Sequence, residues 1–343
     1  MSVSVAILGA TGYTGAELIR LLDEHPHFEI AHLAAFSQAG KRVSEVLPGI
    51  ASQSAYLTLA AADAAIPEHV ELVFTALPHA AAAQSVKKAL DAGKRVVDLS
   101  ADFRHPNLHN YKQAYGLSHP FPALLDDVIY GLTEYARDNI VTAKLVANPG
   151  CYPTSVLLPL IPLLKSKLIQ ATSIVIDSKS GASGAGRAPK TGLLYCEVNE
   201  SLAAYGLPRH RHAWEMEEWA SFYGAQDVTV RFAPHIIPMT RGMLSTIHLS
   251  GHDSDQWHSI LTKTYKDEPF VNVLPLGSLP STGAVKGSNR CDIGVAILNE
   301  NEAVVISCID NLLKGASGQA IQNANVMFNF EETLGLAVNA SWP

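Results

Sequence analysis

The first half of the chain alternates short apolar runs with amphipathic segments, a pattern typical of a parallel sheet covered by helices. The apolar runs predict strands at residues 3–8, 28–35, 70–76, 96–99 and 145–147. Between them, an amphipathic segment that ends before Pro26 predicts a first helix, and the segment 80–92, ended by Gly93, predicts another. We therefore expect a doubly wound α/β domain that ends near residue 148.

The second half follows a different pattern. Strand-like runs lie at 173–177, 228–232, 243–249, 292–298 and 303–309, and several of them alternate apolar and polar residues. Such alternation is typical of a mostly antiparallel sheet with one covered face. A final apolar run at 315–328 predicts a helix that packs back on the first domain.

A glycine-rich turn joins the first strand to the first helix, and its sequence is GATGYTG at 9–15. Strand, glycine turn and helix in this order are the fingerprint of a dinucleotide site, where the turn and the helix N-terminus hold the pyrophosphate. The residues predicted to contact the cofactor are Gly9, Thr11, Gly12, Tyr13, Thr14 and Gly15.

The end of the second strand indicates which dinucleotide binds. Proteins that bind NAD place an acid there, about 20 residues after the glycines, on the ribose 2′-hydroxyl. The corresponding stretch here has no acid but offers Ser37, Lys41 and Arg42. A hydroxyl and two cations suit a 2′-phosphate, so we predict NADP(H). The alternative is that Lys41 and Arg42 are solvated loop charges.

Composition and charge exclude several classes of protein and partner. The 343 residues carry a formal net charge of −7, which gives no reason to expect nucleic acid or an anionic membrane as a partner. The longest aliphatic run, 156–164, is too short to span a bilayer, and no basic segment precedes the apolar N-terminus as it would in a signal peptide.

The four cysteines lack CxxC spacing, so we expect neither a zinc site nor disulfides. Free cysteines are typical of a reducing compartment, so we expect a cytoplasmic location. His105 and His109 are four residues apart, but Pro106 breaks any helix there, and we predict no metal site.

Length and pattern together predict two domains. The first is a nucleotide-binding domain at 1–148, to which the C-terminal segment from about 312 to 343 returns. The second, at 149–311, carries the candidate chemistry described next.

Cys151 is the candidate nucleophile. It lies in the sequence NPGCYPT at 148–154, where Pro153 suits the first turn of a helix. A cysteine at a helix N-terminus has a lowered thiol pKa and hence more of the reactive thiolate. Pro159 and Pro162 are expected to kink or shorten this helix. The other cysteines, predicted to be structural, are Cys196, Cys291 and Cys308.

A thiol nucleophile needs a proton partner. The segment His210-Arg211-His212, followed by Glu215, places a base, a cation and a carboxylate close together. The alternative interpretation of this segment is a solvated polar turn.

Six motifs in order give the chain its resemblance to a known family. Besides the glycine turn they are DLSADFR at 98–104, PGCYPT at 149–154, SGASGAGR at 180–187, HRH at 210–212 and DNLLKG at 310–315. Together they resemble the N-acetyl-gamma-glutamyl-phosphate reductases, which catalyse the third step of arginine biosynthesis. The wider aspartate-semialdehyde dehydrogenases share the architecture but carry a different cysteine motif. The family usually has Pro-Glu after HRH-x, whereas this chain has Trp214-Glu215. The glutamate is therefore kept, and only the rigidity of the loop is expected to differ.

The resemblance implies a semialdehyde dehydrogenase-like fold: a Rossmann-type NADP-binding domain and an α+β domain with a mostly antiparallel sheet. It also implies that the sheet of the second domain joins subunits into a homodimer or homotetramer.

The resemblance further implies the reaction. Cys151 would attack the acyl phosphate of N-acetyl-L-glutamyl 5-phosphate and expel phosphate, and NADPH would reduce the thioester to N-acetyl-L-glutamate 5-semialdehyde. His210 would supply or remove the proton, and Glu215 would orient His210. The arginines expected to anchor phosphate or carboxylate are Arg104, Arg187 and, more weakly, Arg211. The residues that match stretches lining the nicotinamide are Ser180, Gly181, Gly184 and Asn311.

Two alternatives stay open. The first is the same chemistry on an aminoadipyl phosphate from lysine biosynthesis, since a pocket discriminates one methylene by only about 1–3 kcal/mol. The second is a non-catalytic NADP-binding sensor, which would have no use for a helix-capping cysteine paired with a histidine. A short-chain dehydrogenase is disfavoured because no tyrosine is followed by lysine at the fourth position.

Overall fold

The computed structural model describes residues 2–341, and these form two compact units. The first unit comprises residues 2–108 together with Ser118–Pro149 and Ala316–Leu336. The second comprises His109–Leu117, Gly150–Gly315 and residues 337–341. Residues 109–117, 312–315 and 337–341 group with the second unit, whereas the sequence predicts them in the first domain or its returning segment, and the predicted domain bounds stay a prediction.

The strands are β1 Val3–Leu8, β2 Phe28–Ala35, β3 Ala60–Ala61, β4 Leu72–Thr75, β5 Arg95–Asp98, β6 Ile129–Tyr130, β7 Leu145–Ala147, β8 Ile174–Gly181, β9 Ala203–Ala204, β10 Val230–Ile237, β11 Met243–Ser250, β12 Val271–Val273, β13 Cys291–Asn299 and β14 Glu302–Ile309. The α-helices are α1 Tyr13–Leu22, α2 Val43–Val46, α3 Ala83–Asp91, α4 Leu108–Tyr115, α5 Thr133–Ile140, α6 Cys151–Ser166, α7 Tyr195–Val198, α8 Arg211–Gly224, α9 Trp257–Tyr265 and α10 Gly318–Met327. A π-helical turn, Leu313–Ser317, precedes α10.

The first unit is built on a parallel sheet with strand order β3-β2-β1-β4-β5-β7-β6. The chain leaves β1 in one direction, towards β2 and β3, and later returns to add β4 on the other side. This reversal is the topological switch point at which open α/β sheets bind ligands, and the glycine turn follows β1 there. The structure thereby confirms the predicted doubly wound fold.

Helix α10 belongs to the first unit and is buried along its whole length despite its amides. The side-chain amides of Gln319 and Asn323 both donate to the carbonyl oxygen of Gly131, at 3.0 and 2.8 Å. These bonds satisfy polar groups that would otherwise be costly to bury.

The second unit is built on a mixed sheet with strand order β12-β13-β14-β11-β8-β10-β9. Its pairings are antiparallel except for β12 with β13 and β8 with β10, in keeping with the predicted mostly antiparallel sheet. Helix α6 covers one face, where the hydroxyls of Ser155 and Ser178 each lie 2.7 Å from that of Ser245.

Helix α6 corrects one prediction, since neither proline shortens it: it runs unbroken from Cys151 to Ser166. Pro162 has no N–H for the carbonyl of Leu158, four residues earlier, and the hydroxyl of Tyr265 donates to that carbonyl instead. The helix is buried on all sides from Tyr152 to Leu164, so tertiary packing outweighs the local cost of the prolines.

Within residues 2–341, every helix is too short or too polar to cross a lipid bilayer.

Candidate active site

Cys151 is the first residue of α6 and is half-buried. Gly150 precedes it as the N-cap in an extended conformation and has no side chain that could cap the helix. The N–H groups of a helix's first turn carry a partial positive charge, which favours a negative charge at this end of α6.

Glu215 ties helix α8 to the start of α6. Its carboxylate is fully buried and accepts a hydrogen bond from the N–H of Gly150 at 2.8 Å. This contact orients the residue next to Cys151, whereas the sequence predicted that Glu215 orients His210. That second role stays a prediction.

His210 is the N-cap of α8. Its Nδ1 accepts a hydrogen bond from the N–H of His212 at 3.2 Å. Because Nδ1 is an acceptor, the neutral ring carries its proton on Nε2 and can donate from that atom.

Aromatic rings enclose His210, which is only 7 % exposed. The four rings and their centroid distances from the imidazole are His212 at 4.9 Å, Tyr205 at 5.4 Å, Phe232 at 5.7 Å and Tyr152 at 5.9 Å. Burial, aided by the positive charge of Arg211, lowers the pKa of His210 to about 4. His210 is therefore neutral at physiological pH.

Two tyrosines that the sequence analysis did not assign to the site complete this cluster. The hydroxyl of Tyr205 donates to that of Tyr152 at 2.9 Å. Burial raises the pKa of both phenols, that of Tyr205 to about 12, so both are neutral. Tyr152 could have been found from its place in the PGCYPT motif, but Tyr205 has no local signal.

In the first unit, the glycine turn fits a dinucleotide pyrophosphate. Gly9 has a φ of +89°, and a Cβ there would lie 2.4 Å from the carbonyl oxygen of Ala76. A Cβ at Gly15 would lie 2.3 Å from the carbonyl oxygen of Gly9, whereas Gly12 meets only that same atom, at 3.6 Å. The N-cap of helix α1 is Gly12, which has no capping side chain, and the first turn contains no acid, so this N-terminus is suited to phosphate.

The other residues of this turn, Thr11, Tyr13 and Thr14, are all partly or fully exposed. Ser37, Lys41 and Arg42 follow β2 on the exposed surface of the same unit. The chain there can present a hydroxyl and two cations to a 2′-phosphate.

The three candidate anchoring arginines have different environments. Arg104, in the first unit, is 7 % exposed and donates to the carbonyl oxygens of Asn148 at 2.8 Å and Leu99 at 2.9 Å. Arg187 and Arg211, in the second unit, are exposed. Arg104 thus holds the backbone just before the PGCYPT loop.

The residues predicted to line the nicotinamide lie in the second unit. Ser180 is buried at the end of β8, and a Cβ at Gly184 would lie 3.0 Å from its Oγ. A Cβ at Gly181 would lie 2.7 Å from the carbonyl oxygen of Thr240. Asn311 accepts from the N–H of Gly242 at 2.8 Å and donates to Ser183 at 2.9 Å, so it fastens two loops together.

The structure therefore divides the predicted site residues between the units. The second unit contains Cys151, Ser180, Gly181, Gly184, Arg187, His210, Arg211, Glu215 and Asn311. The first contains the glycine turn, Ser37, Lys41, Arg42 and Arg104.

Sequence models of two domains match the chain. Residues 4–143 match the semialdehyde dehydrogenase NAD-binding domain, and residues 151–311 match the semialdehyde dehydrogenase dimerisation domain.

Among curated relatives, the N-acetyl-gamma-glutamyl-phosphate reductase of Geobacter metallireducens is 47 % identical over 97 % of this chain and 98 % of its own. The probable chloroplastic N-acetyl-gamma-glutamyl-phosphate reductase of Arabidopsis thaliana is 45 % identical over 99 % of this chain and 86 % of its own.

Solved structures with similar folds include aspartate semialdehyde dehydrogenase II of Vibrio cholerae complexed with ASA, at a TM-score of 0.74 and 17 % identity, covering 96 % of this chain and 99 % of that one. The aspartate semialdehyde dehydrogenase of Candida albicans with NADP gives a TM-score of 0.68 at 18 % identity, covering 95 % and 98 %.

Proposed function

The chain belongs to the semialdehyde dehydrogenase family and, within it, to the N-acetyl-gamma-glutamyl-phosphate reductases, and from this premise we propose how its residues carry out the reaction. The substrate is N-acetyl-L-glutamyl 5-phosphate, and the products are N-acetyl-L-glutamate 5-semialdehyde and phosphate. The observation that carries the proposal is Cys151 as the first residue of helix α6, followed by a tyrosine that packs against the neutral His210.

In the first step, the thiolate of Cys151 attacks the carbonyl carbon of the acyl phosphate. The C–S bond forms, the C–O bond to phosphate breaks, and phosphate leaves with the bonding electrons. The N-terminal N–H groups of α6 stabilise the thiolate before the attack. The product is a thioester on Cys151.

The second step is the reduction of this thioester, for which NADPH, when bound, would supply a hydride at the acyl carbon. Cys151 presents that carbon as a thioester, which accepts hydride far more readily than a carboxylate does. The Nε2–H of His210 donates to the oxygen of the tetrahedral carbon, because its Nδ1 is already occupied by the N–H of His212. The sulfur of Cys151 then leaves again as a thiolate, and the semialdehyde is released.

We assign cofactor binding to two groups of predicted residues, one in each unit. The glycine turn and the start of α1 hold the pyrophosphate, and Ser37, Lys41 and Arg42 hold the 2′-phosphate. The residues assigned to the nicotinamide side are Ser180, Gly181, Gly184 and Asn311.

Arg187 and Arg211 are the preferred anchors for the substrate's phosphate and carboxylate. Both are exposed and belong to the same unit as Cys151, and a guanidinium matches either anion in two hydrogen bonds. Arg104 is the weaker candidate, since it is buried and donates to two backbone carbonyls.

We further propose that the enzyme is a cytoplasmic homodimer or homotetramer, joined through the sheet of the second unit. Strand β8 alternates buried and partly exposed residues, so one sheet face lies away from α6. That face carries the exposed Val175 and a polar cluster in which Asp177 pairs with Lys179 at 3.1 Å and lies 3.0 Å from His235. A face with both apolar and paired polar groups suits contact with a second copy of the chain.

The function is tested by phosphate-dependent reduction of NADP, the reverse reaction, with three semialdehydes in parallel. We expect N-acetylglutamate semialdehyde to give the highest kcat/KM, above its aminoadipate and aspartate analogues, with no reduction when phosphate is omitted. A higher kcat/KM with the aminoadipate analogue would move the enzyme to lysine biosynthesis. Absence of turnover with all three, together with no NADP-protectable alkylation of Cys151 by iodoacetamide, would favour the sensor.

A further inference from the structure

The π-helical turn after β14 lies directly against Cys151, and we propose that Gly315 in this turn is a positioning residue for the nucleophile. This inference rests on the proposed function, since it takes Cys151 as the attacking group. It concerns how the second unit fixes the place of the thiol, which neither the helix N-terminus nor His210 explains.

The closest approach involves the backbone of Cys151 itself. A Cβ atom at position 315 would lie 2.8 Å from the Cβ of Cys151 and 3.3 Å from its Cα. Neither atom is the end of a flexible side chain, so neither can rotate away. To reach an ordinary contact of 3.4 Å, the two Cβ atoms would have to separate by about 0.6 Å.

Asp310 builds the turn that brings Gly315 to this place. Its buried carboxylate accepts the N–H groups of Leu312 at 2.9 Å and Leu313 at 3.2 Å. Its carbonyl oxygen accepts the N–H of Gly315 at 3.0 Å, which is the five-residue hydrogen bond of a π-turn. Turns of this kind are rare and are frequently found at functional sites.

The turn is anchored on its other side by two separate loops. The guanidinium of Arg241 pairs with the carboxylate of Asp310 at 3.0 Å, and the N–H of Gly287 donates to it at 2.9 Å. The neighbouring Asn311 binds the N–H of Gly242. The turn is therefore held by hydrogen bonds and an ion pair, and it cannot yield easily when an atom is added at position 315.

An added methyl group must then move Cys151 rather than the turn. A misplacement of about 1 Å at a reacting group can cost about 100-fold in rate, so a shift of about half that size is expected to cost about 10-fold. The loss should fall mainly on the thiol's chemistry and leave binding of the cofactor's pyrophosphate unchanged, because the glycine turn lies in the other unit.

The experiment compares Gly315→Ala with Gly192→Ala in the full-length enzyme. Gly192 is a matched control from the same unit, since a Cβ there would meet nothing within 4 Å. We measure kcat, KM for NADP and the iodoacetamide alkylation rate of Cys151 by peptide mass spectrometry, with the exposed Cys196 as internal reference. Gly315→Ala is expected to lower kcat and the Cys151 alkylation rate by about 10-fold each, while KM for NADP and the Cys196 rate match the control.

A second variant tests whether the added Cβ acts through Cys151 or through the neighbouring core residue Ile309. The same Cβ would also lie 3.3 Å from the Cδ1 of Ile309, and Ile309→Val removes that atom. If Gly315→Ala/Ile309→Val regains normal kcat and alkylation, crowding of Ile309 explains the loss and the proposal is wrong. The proposal also fails if Gly315→Ala behaves like Gly192→Ala.

Should Gly315→Ala not fold, Asp310→Asn loosens the same turn from outside. Slower alkylation of Cys151 with an unchanged Cys196 rate then supports the proposal, and an unchanged Cys151 rate overturns it. Failure of the proposed function gives a different result, since Cys151→Ser would then retain turnover whatever happens at position 315.

Discussion

Acidification offers a direct test of the environment of His210. An ordinary histidine is half-protonated at a pH of about 6.5. His210 has a pKa of about 4, because it is buried among aromatic rings and lies beside the positive charge of Arg211. At a pH of about 6.5, only about 1 in 300 molecules should carry the imidazolium.

The depressed pKa also has a stability consequence whose sign follows from proton counting. Below a pH of about 6.5 the unfolded chain binds a proton at this position, whereas the folded protein binds it only near 4. The contribution of His210 to stability is therefore fully present above about 6.5 and is lost as the pH falls towards 4. The full loss is about 3 kcal/mol, and about 2 kcal/mol of it is reached at a pH of about 5.

The assay follows the Cε1–H resonances of histidines labelled with carbon-13 as the pH is lowered, with His210→Asn identifying the signal of His210. Urea unfolding of the native protein and of His210→Asn at pH values of about 7.5 and 5 then measures the linkage, with the native protein expected to lose about 2 kcal/mol more. His69→Asn, which removes an exposed histidine from the first unit, serves as the control. A resonance of His210 that titrates near 6.5 would refute the assignment of a neutral Nε2–H donor.

Three further predictions concern the two units separately. Replacing Lys41 and Arg42 by Ala should narrow the preference for NADPH over NADH with little change in kcat, and equal kcat/KM for both cofactors in the native enzyme would contradict the 2′-phosphate assignment. His210→Asn should lower kcat by about 10²–10⁴-fold and leave the Kd for NADPH nearly unchanged, as measured by fluorescence titration. Gly15→Ala should weaken NADPH binding at least 10-fold by the same titration, since its Cβ would lie 2.3 Å from a backbone oxygen, whereas Gly49→Ala, which meets nothing within 4 Å, should bind normally.

The sequence predicts the fold best where patterning and turn chemistry agree. The predicted strands at 3–8, 28–35 and 145–147 have the bounds of β1, β2 and β7, because buried parallel strands read as short apolar runs between clear turn signals. The two-residue strands β3, β6 and β9 were not predicted, since two residues carry no periodicity. They are defined by their pairing with a neighbour.

Helix α6 shows why local rules fail in a buried element. Pro159 and Pro162 predict an interruption, but the hydroxyl of Tyr265, a residue over 100 positions away, replaces a missing N–H. The candidate site shows the same limit. Cys151 and His210 stand out by motif, whereas the hydrogen bond from Tyr205 to Tyr152 and the approach of Gly315 to Cys151 join residues distant in sequence.

The central claim is that Cys151 forms a thioester with the substrate, and a single-turnover experiment without NADPH tests it most directly. Native enzyme mixed with N-acetylglutamyl phosphate should release about one phosphate per active site and gain the mass of one N-acetylglutamyl group on the peptide containing Cys151. Hydroxylamine should remove that mass, and the Cys151→Ser protein should show neither the burst nor the adduct while still binding NADPH. A Cys151→Ser protein with near-native turnover, or native enzyme that turns over substrate without ever carrying the adduct, would contradict the account, since the hydride would then have to reach the acyl phosphate directly.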